Sequence, residues 1–382
     1  MKGERLQIGK VSVLTGDCLS VLKTLPAGSV HCVVTSPPYW GLRDYGTAAW
    51  VGGDLSCDHV PPPTQPRNAR SLGKFHGGTD AGNASREPDK RSVCGKCGAR
   101  RIDSQLGLES TPVEYVEKMV AVFREVRRVL RDDGTLWLNL GDSYAGGGNY
   151  RGVHSEDTLS EKQRSNGGAR GVSQLLGAAG KDFGLEPKNL VGIPWRVAFA
   201  LQADGWYLRQ DIIWSKPNPM PESVRDRCTK AHEYLFLLAK SERYYFDAEA
   251  IAEPSSEVGT INSFGNKNAE ARGVDELTGN MRLGVMYETK PTRNKRSVWT
   301  VTTQPYREAH FATFPPKLIE PCILAGCPED GIVLDPFAGA GTTGDVAIRA
   351  ERRAILIELS PKYADLISKR LTTARYKMGL FA

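Results

Sequence analysis

The stretch VLDPFAGAGTT, Val333 to Thr343, carries an apolar strand into a glycine-rich turn and out into a helix. Gly339 and Gly341 let the backbone approach a ligand closely, and the N-terminus of the following helix favours polar or anionic groups. Such turns are common by themselves. Here the next strand, Ile355-Leu356-Ile357, ends in Glu358, where a carboxylate is placed to accept hydrogen bonds from both ribose hydroxyls of a nucleoside. Together the two features point to a nucleoside-bearing ligand; the competing reading is a packing turn beside a surface acid.

Outward from this stretch, strand and helix signals alternate. Val11–Leu14 and Val30–Val34 are short β-rich runs with a helix-like segment, Asp17–Leu25, between them. Pro112–Leu130 places Met119, Phe123, Val126 and Leu130 at helical spacing, with Thr111 as N-cap and Pro112 at the first helical position. After a turn at Asp132-Asp133-Gly134, a strand is expected over Thr135–Leu140, a helix over Pro194–Ala203, and strands over Leu208–Trp214 and Glu233–Ala239. Pro316–Ala325, Thr342–Ala350 and Pro361–Lys377 read as helices, Gly331–Leu334 and Ala354–Ile357 as strands. This alternation predicts an α/β domain around a mostly parallel sheet.

At 382 residues, 40% hydrophobic and 25% charged, the chain can bury a sizeable core and is not globally disordered. No run reaches the length of a membrane span and the first residues lack the apolar core of a signal peptide, so a soluble, cytoplasmic protein is expected. The net charge of +6 suits a polyanionic partner without requiring one.

Near the other end, VVTSPPYWGL, Val33 to Leu42, drives an apolar strand into Ser36-Pro37-Pro38-Tyr39-Trp40. Two successive prolines donate no backbone hydrogen bonds, so the strand stops in a rigid corner flanked by a hydroxyl and two aromatic rings. Ser36-Pro37-Pro38-Tyr39, taken with Asp335-Pro336-Phe337 and Gly339-Ala340-Gly341-Thr342-Thr343, resembles the amino-group DNA methyltransferases that use S-adenosylmethionine. The catalytic motif precedes the cofactor motif, and the segment Ile212–Ser241 lies between them, an order that resembles the circularly permuted β group. The resemblance spans nearly the whole chain apart from three irregular regions.

It implies a three-layer Rossmann-like α/β methyltransferase sheet, circularly permuted and carrying irregular inserts, with the C-terminus supplying its first two strands and the N-terminus the third and fourth. It implies catalytic roles for Ser36, Pro37, Pro38 and Tyr39, with Trp40 beside them. Asp17 matches the acid that contacts the cofactor adenine, Glu358 the ribose acid, and Thr313, Phe314 and Pro315 the segment that caps the methionine end. Asp335, Pro336, Phe337, Gly339, Gly341 and Thr342 complete the cofactor set. The implied reaction transfers a methyl group to the exocyclic amine of a base flipped out of double-stranded DNA. Its lone pair is delocalised into the ring, and the Ser36 hydroxyl and Pro37 carbonyl would draw density back onto nitrogen. Ser at the first motif position favours cytosine N4; adenine N6 is the alternative.

The irregular regions cover about residues 51–105, 145–188 and 253–305. The second is rich in Gly and Ser and reads as a mobile loop. The third lies where the family places target recognition, and its Lys290, Arg293, Lys295 and Arg296 are candidate DNA contacts; Lys216 and Asn218 match a family segment near the catalytic pocket. His232 and Glu233 read as polar residues at a strand edge. The chain then divides into a catalytic half over 1–50 continued over 111–252, an insert over 51–110, the recognition region over 253–305 and a cofactor-binding half over 306–382.

Of eight cysteines, Cys18, Cys32, Cys228, Cys322 and Cys327 are scattered and read as small packing side chains. Cys57-x-His59 and Cys94-x-x-Cys97 supply four ligands of the kind Zn²⁺ takes, with His76 an alternative to His59. A structural zinc would anchor an insert poor in apolar residues; the competing reading is a disordered insert with free thiols. Partners implied are double-stranded DNA, with room for a homodimer and a cognate restriction enzyme. Two other functions compete: a related methyltransferase acting on protein or RNA, and a catalytically silent zinc-containing DNA-binding protein.

Overall fold

The computed structural model describes residues 5–41, 49–54, 56–59, 93–103, 105–145, 184–255, 261–263, 286–288, 290–304 and 314–377. His76, Thr313, most of the 145–188 loop and much of the 253–305 region lie outside the described residues. The strands are β1 (Arg5–Ile8), β2 (Val11–Thr15), β3 (Val30–Thr35), β4 (Ala49–Val51), β5 (Arg100–Ile102), β6 (Leu130–Leu140), β7 (Tyr207–Ser215), β8 (His232–Ala239), β9 (Glu253–Pro254), β10 (Ile261–Ser263), β11 (Met286–Glu288), β12 (Thr292–Arg293), β13 (Val298–Thr300), β14 (Ile332–Asp335) and β15 (Arg353–Glu358). The helices are α1 (Cys18–Leu22), α2 (Pro112–Val129), α3 (Ile193–Ala203), α4 (Pro316–Gly326), α5 (Thr342–Arg349) and α6 (Pro361–Lys377).

Nine strands form one sheet in the order β1-β2-β15-β14-β3-β6-β8-β7-β13. The two C-terminal strands lie between the N-terminal β2 and β3, all parallel, so the permuted connectivity expected of the chain is what the sheet displays. β8 runs antiparallel to both β6 and β7. The ribbons β4–β5, β9–β12 and β10–β11 stand apart from this sheet.

Alternation along the central strands feeds two separate cores, as a period of two requires. Cys32, Val34 and Trp137 join Leu318, Ile323, Val346 and Leu371 from α4, α5 and α6 on one face. Val33, Leu136 and Leu138 join Leu22, Phe123 and Leu201 from α1, α2 and α3 on the other. The result is a three-layer α/β fold. Gly326 lets α4 lie close to the sheet, since a Cβ there would sit 2.6 Å from both Thr135 Oγ1 and Trp137 Nε1.

Helix ends follow local chemistry. Thr111 caps α2 by accepting from the Glu114 amide at 3.1 Å, with Pro112 at the first helical position. Asp142, just past β6, accepts from the Gly192 and Ile193 amides at 3.0 Å and so places a carboxylate on the N-terminus of α3. Among the described residues no helix is long and apolar enough to cross a membrane.

Candidate active site

Two motifs some three hundred residues apart meet at the carboxyl edge of the sheet. Asp335, at the end of β14, is 1% exposed. Its carboxylate accepts from Thr35 Oγ1 at 2.6 Å, Thr343 Oγ1 at 2.6 Å and the Phe337 amide at 3.1 Å. Thr35 is the residue before Ser36, so one buried acid ties the Ser-Pro-Pro-Tyr corner to the glycine turn and to α5. Burial pushes this carboxyl up to about 6, against the pull of its three donors.

The turn is shaped by Glu358. Its carboxylate accepts from the Gly339 amide and the Ser360 amide, each at 2.9 Å. Burial first, and then the charge of Asp335, push Glu358 up to about 7. A Cβ at Gly339, where φ is +51°, would meet open space, so the turn presents bare backbone to a vacant region beside this acid. Gly341, with φ +76°, faces the other way: a Cβ there would lie 3.0 Å from Ile367 of α6. Thr342 is buried, its hydroxyl accepting from Arg370 at 2.9 Å. Pro336 and Phe337 continue from Asp335. Asp17 lies just beyond β2, whose Thr15 is level with Glu358, and its Oδ1 caps α1 by accepting from the Ser20 amide at 2.9 Å. Phe314 packs against the core, and Pro315 is buried at the start of α4.

On the neighbouring strands a polar chain runs away from Ser36. Ser36 Oγ donates to the Tyr39 hydroxyl at 3.3 Å, which lies 2.7 Å from Glu233 Oε2 and 3.0 Å from Asn139 Oδ1. Asn139 Nδ2 donates to the Tyr234 carbonyl at 3.1 Å, and Lys216 forms an ion pair with the other Glu233 oxygen. Lys216 also lies 4.2 Å above the Trp214 ring. Burial first and the Glu233 charge second hold the Tyr39 phenol well above its ordinary pKa, so it stays a donor. The corner is braced from outside by Tyr115, which donates to the Pro38 carbonyl at 2.9 Å.

Asn139 and Glu233 are the members that sequence reading missed. Glu233 stands at a strand end, as expected, but in the middle of this cluster. A lone amide in the apolar run Leu136-Trp137-Leu138-Asn139-Leu140 was the available signal, because a buried polar group needs partners. Lys216, expected near DNA, is tied to Glu233 here. Asn218 exchanges hydrogen bonds with the Thr303 backbone. Arg293 and Arg296 share Glu253, Lys295 lies 5.2 Å over Trp299, and Lys290 is exposed.

The DNA methylase family model N6_N4_Mtase matches residues 30–369. The chain belongs to this family of N6/N4 DNA methylases. It is a DNA amino-methyltransferase. It is 40% identical over 370 residues to the type II methyltransferase M.Cfr9I of Citrobacter freundii, covering 97% of this chain and 90% of that one. It is 38% identical over 363 residues to the type II methyltransferase M.SmaI of Serratia marcescens, covering 95% and 91%. In fold it is similar to the cytosine-N4-specific PvuII DNA methyltransferase, with a TM-score of 0.52 and 17% identity over 96% of this chain and 92% of that one.

A second cluster lies in the insert of this methylase. Cys57, His59, Cys94 and Cys97 bring their ligand atoms within 4.8 Å of one another. The Cys57 and Cys94 sulfurs are 3.8 Å apart, and Cys97 Sγ is 3.3 Å from His59 Nδ1. Tetrahedral zinc with Zn–S near 2.3 Å and Zn–N near 2.0 Å has edges of about 3.8 and 3.5 Å, whereas a disulfide needs about 2.05 Å. The donor set and these two separations therefore fit the edges of a tetrahedral metal site. Backbone amides of Cys97 and then Lys96 hold the Cys94 thiol down to about 6, toward the thiolate that a metal takes.

Packing at the Ser-Pro-Pro-Tyr corner has a measurable effect. A Cβ at Gly141 would lie 2.5 Å from Tyr39 Cε2 and 2.8 Å from Cδ2, so Gly141→Ala must swing the ring off Glu233. The expected outcome is a loss of at least about tenfold in the initial rate of methyl transfer to DNA, with an unchanged circular dichroism spectrum. A rate within twofold of the parent would show that the ring position is immaterial.

Proposed function

We propose that this methylase transfers a methyl group from S-adenosylmethionine to N4 of a cytosine flipped out of double-stranded DNA. The observation that carries the reading is the buried bridge from Thr35 through Asp335 to Thr343, which sets Ser36 and Pro37 beside the open glycine turn. Glu358 is two strands from Ser36, roughly 10 Å at ordinary strand spacing, so a nucleoside held by the acid would direct its substituents toward the corner.

S-adenosylmethionine supplies the electrophilic methyl. Glu358 would accept from the ribose hydroxyls, using lone pairs left over from its two amide contacts. Gly339 keeps the turn bare, Asp335 and Thr342 hold it from below, Asp17 would meet the adenine, and Pro336, Phe337, Phe314 and Pro315 would line the rest. Ser36 spends its hydrogen on Tyr39, which leaves its oxygen lone pairs free to accept from the cytosine amine; the Pro37 carbonyl accepts the second N–H. Both acceptors are fixed by prolines, which favours the geometry in which nitrogen's lone pair points at the methyl. Tyr39 stacks on the base. The proton released by the amine passes to Ser36 Oγ as the Ser36 proton moves to Tyr39 and the Tyr39 proton to the Glu233 carboxylate. Ser36, a small neutral acceptor, is what supports cytosine N4 over adenine N6.

Flipping costs a few kcal/mol, offset by stacking and phosphate contacts; Asn218, Lys290, Arg293, Lys295 and Arg296 are proposed to contribute contacts. The resemblance to type II methyltransferases supports a place in restriction–modification, with a cognate endonuclease as partner. The four-ligand cluster of the insert is proposed to hold a structural Zn²⁺.

Incubation with DNA and S-adenosylmethionine, digestion to nucleosides and mass analysis tests the reaction. N4-methylcytosine is the expected product, abolished by Ser36→Ala. N6-methyladenine would overturn the choice of base, and neither product on varied DNA would overturn the catalytic reading. The cofactor site carries a pH signature. Burial pushes the Glu358 carboxyl up to about 7, and ribose hydroxyls would donate to its ionised form. Affinity for S-adenosylmethionine should therefore rise severalfold between pH 6 and pH 8 by titration calorimetry, and Glu358→Gln should weaken binding and flatten that rise.

A further inference from the structure

The insert is joined to the catalytic corner at both of its stalks. Gly41 ends the corner, and the chain reaches β4 at Ala49; β5 ends at Ile102, and the chain is back against the corner by Gly107. There the Gly41 amide donates to the Gly107 carbonyl at 2.8 Å, and Trp40 Nε1 donates to the Glu109 carbonyl at 2.9 Å. Gly107, with φ +93°, is in close contact with the corner, since a Cβ would lie 2.8 Å from the Tyr39 carbonyl oxygen. Its amide donates to Glu109 Oε2 at 2.8 Å, and the other oxygen of that buried carboxylate meets Lys118 of α2 at 3.0 Å. Segment 105–109 is therefore the outer wall of the catalytic corner.

The β4–β5 ribbon leads into that wall, Ile102 lying three residues before Gln105, and the ribbon has little of its own to hold it. Three residue pairs join its strands, and Val51 and Ile102 are 53% and 51% exposed. Isolated two-stranded ribbons are marginal in water. Beyond its tip stand the four metal ligands. Cys57 and His59 follow β4, and Cys94 and Cys97 precede β5. The Cys94 amide donates to Ala99 O at 2.7 Å and the Gly98 amide to Cys94 O at 3.0 Å, a tight knuckle around the second pair. Trp50 of β4 stacks on His59 with ring centroids 5.3 Å apart, and a Cβ at Gly53 would be 2.7 Å from Cys97 Sγ. Ligands and ribbon are thus packed as one body.

We propose that a Zn²⁺ held by Cys57, His59, Cys94 and Cys97 is a clasp on the catalytic corner: by fixing the β4–β5 ribbon it fixes Gly107 and Glu109, and through them Tyr39, Trp40 and Gly41. This rests on the zinc reading above and assigns the metal a task. The ion does no chemistry on the methyl group. Its four protein ligands close its coordination shell, as in structural sites, and its binding energy orders the wall. The cofactor turn is built on other strands and does not depend on it.

The test uses the full chain. Metal content is measured on the purified protein, and again after chelation and in Cys97→Ser. Each form is assayed for S-adenosylmethionine binding by calorimetry, for amide hydrogen exchange by peptide, and for single-turnover methyl transfer to DNA. The clasp predicts one zinc per chain. Its removal should raise exchange in peptides covering 36–41 and 105–109, lower transfer at least tenfold, and leave cofactor affinity within about threefold. Gly107→Ala keeps all four ligands and presses on the Tyr39 carbonyl, so it should lose transfer with its zinc intact. Zinc that can be removed with exchange and transfer unchanged would overturn the clasp and leave the metal site standing. Protein without zinc would overturn both. Loss of cofactor binding or of the whole fold on chelation would overturn the local coupling in favour of a global one.

Discussion

One buried carboxylate organises this molecule. Asp335 is shielded from water and satisfied by two threonine hydroxyls and one amide. Each donor comes from a different piece of chain: Thr35 from the strand that delivers the Ser-Pro-Pro-Tyr corner, Thr343 from the helix after the glycine turn, and Phe337 from the turn itself. A charge in that position is tolerable only while its donors stay in place. The same requirement that keeps the acid satisfied therefore fixes the distance between the two motifs, and it does so from below the site, where no ligand needs to reach.

From that bridge the site divides into two halves with opposite physical demands. The cofactor half is bare backbone beside a raised carboxyl at Glu358, an arrangement that gains from a ligand offering hydroxyl donors. The half proposed to be catalytic is a chain of side chains, Ser36 to Tyr39 to Glu233 to Lys216, in which the Ser36 and Tyr39 hydroxyl hydrogens are directed along the chain toward Glu233. Reading the second half as a device for making Ser36 an acceptor explains why a tyrosine sits in that position and why Gly141 leaves it room. On the clasp proposed above, the insert adds a third demand, the rigidity of the wall behind Tyr39.

Much of this was legible in the sequence, for identifiable reasons. Strong periodicity gave α2 to within a residue, ending at Val129 rather than Leu130, and the order of the two motifs gave the permuted sheet. β1, the ribbons and β13 were not legible, because segments of two to four residues carry no period and, unlike β14 before its glycine turn, these are marked by no motif. Asn139 and Glu233 were missed for a different reason. Their importance lies in meeting one another across the antiparallel β6–β8 pair, where Asn139 is opposite Leu235, two residues beyond Glu233, and pairing register is not written in either strand. The cysteine cluster was legible because metal ligands come in spaced pairs; its attachment to Tyr39 through Gly107 became visible only in three dimensions.

The bridge can be tested by removing one hydroxyl. Thr35→Val keeps the shape of the side chain and withdraws one donor from Asp335, a change that costs about 1–3 kcal/mol when a buried acceptor loses a partner. The measurement is single-turnover methyl transfer alongside S-adenosylmethionine affinity in the folded variant. If the bridge sets the two halves, transfer falls at least tenfold while affinity stays within about threefold. A variant that transfers methyl groups at the parent rate would contradict it, and the corner and the turn would then owe their spacing to the sheet alone.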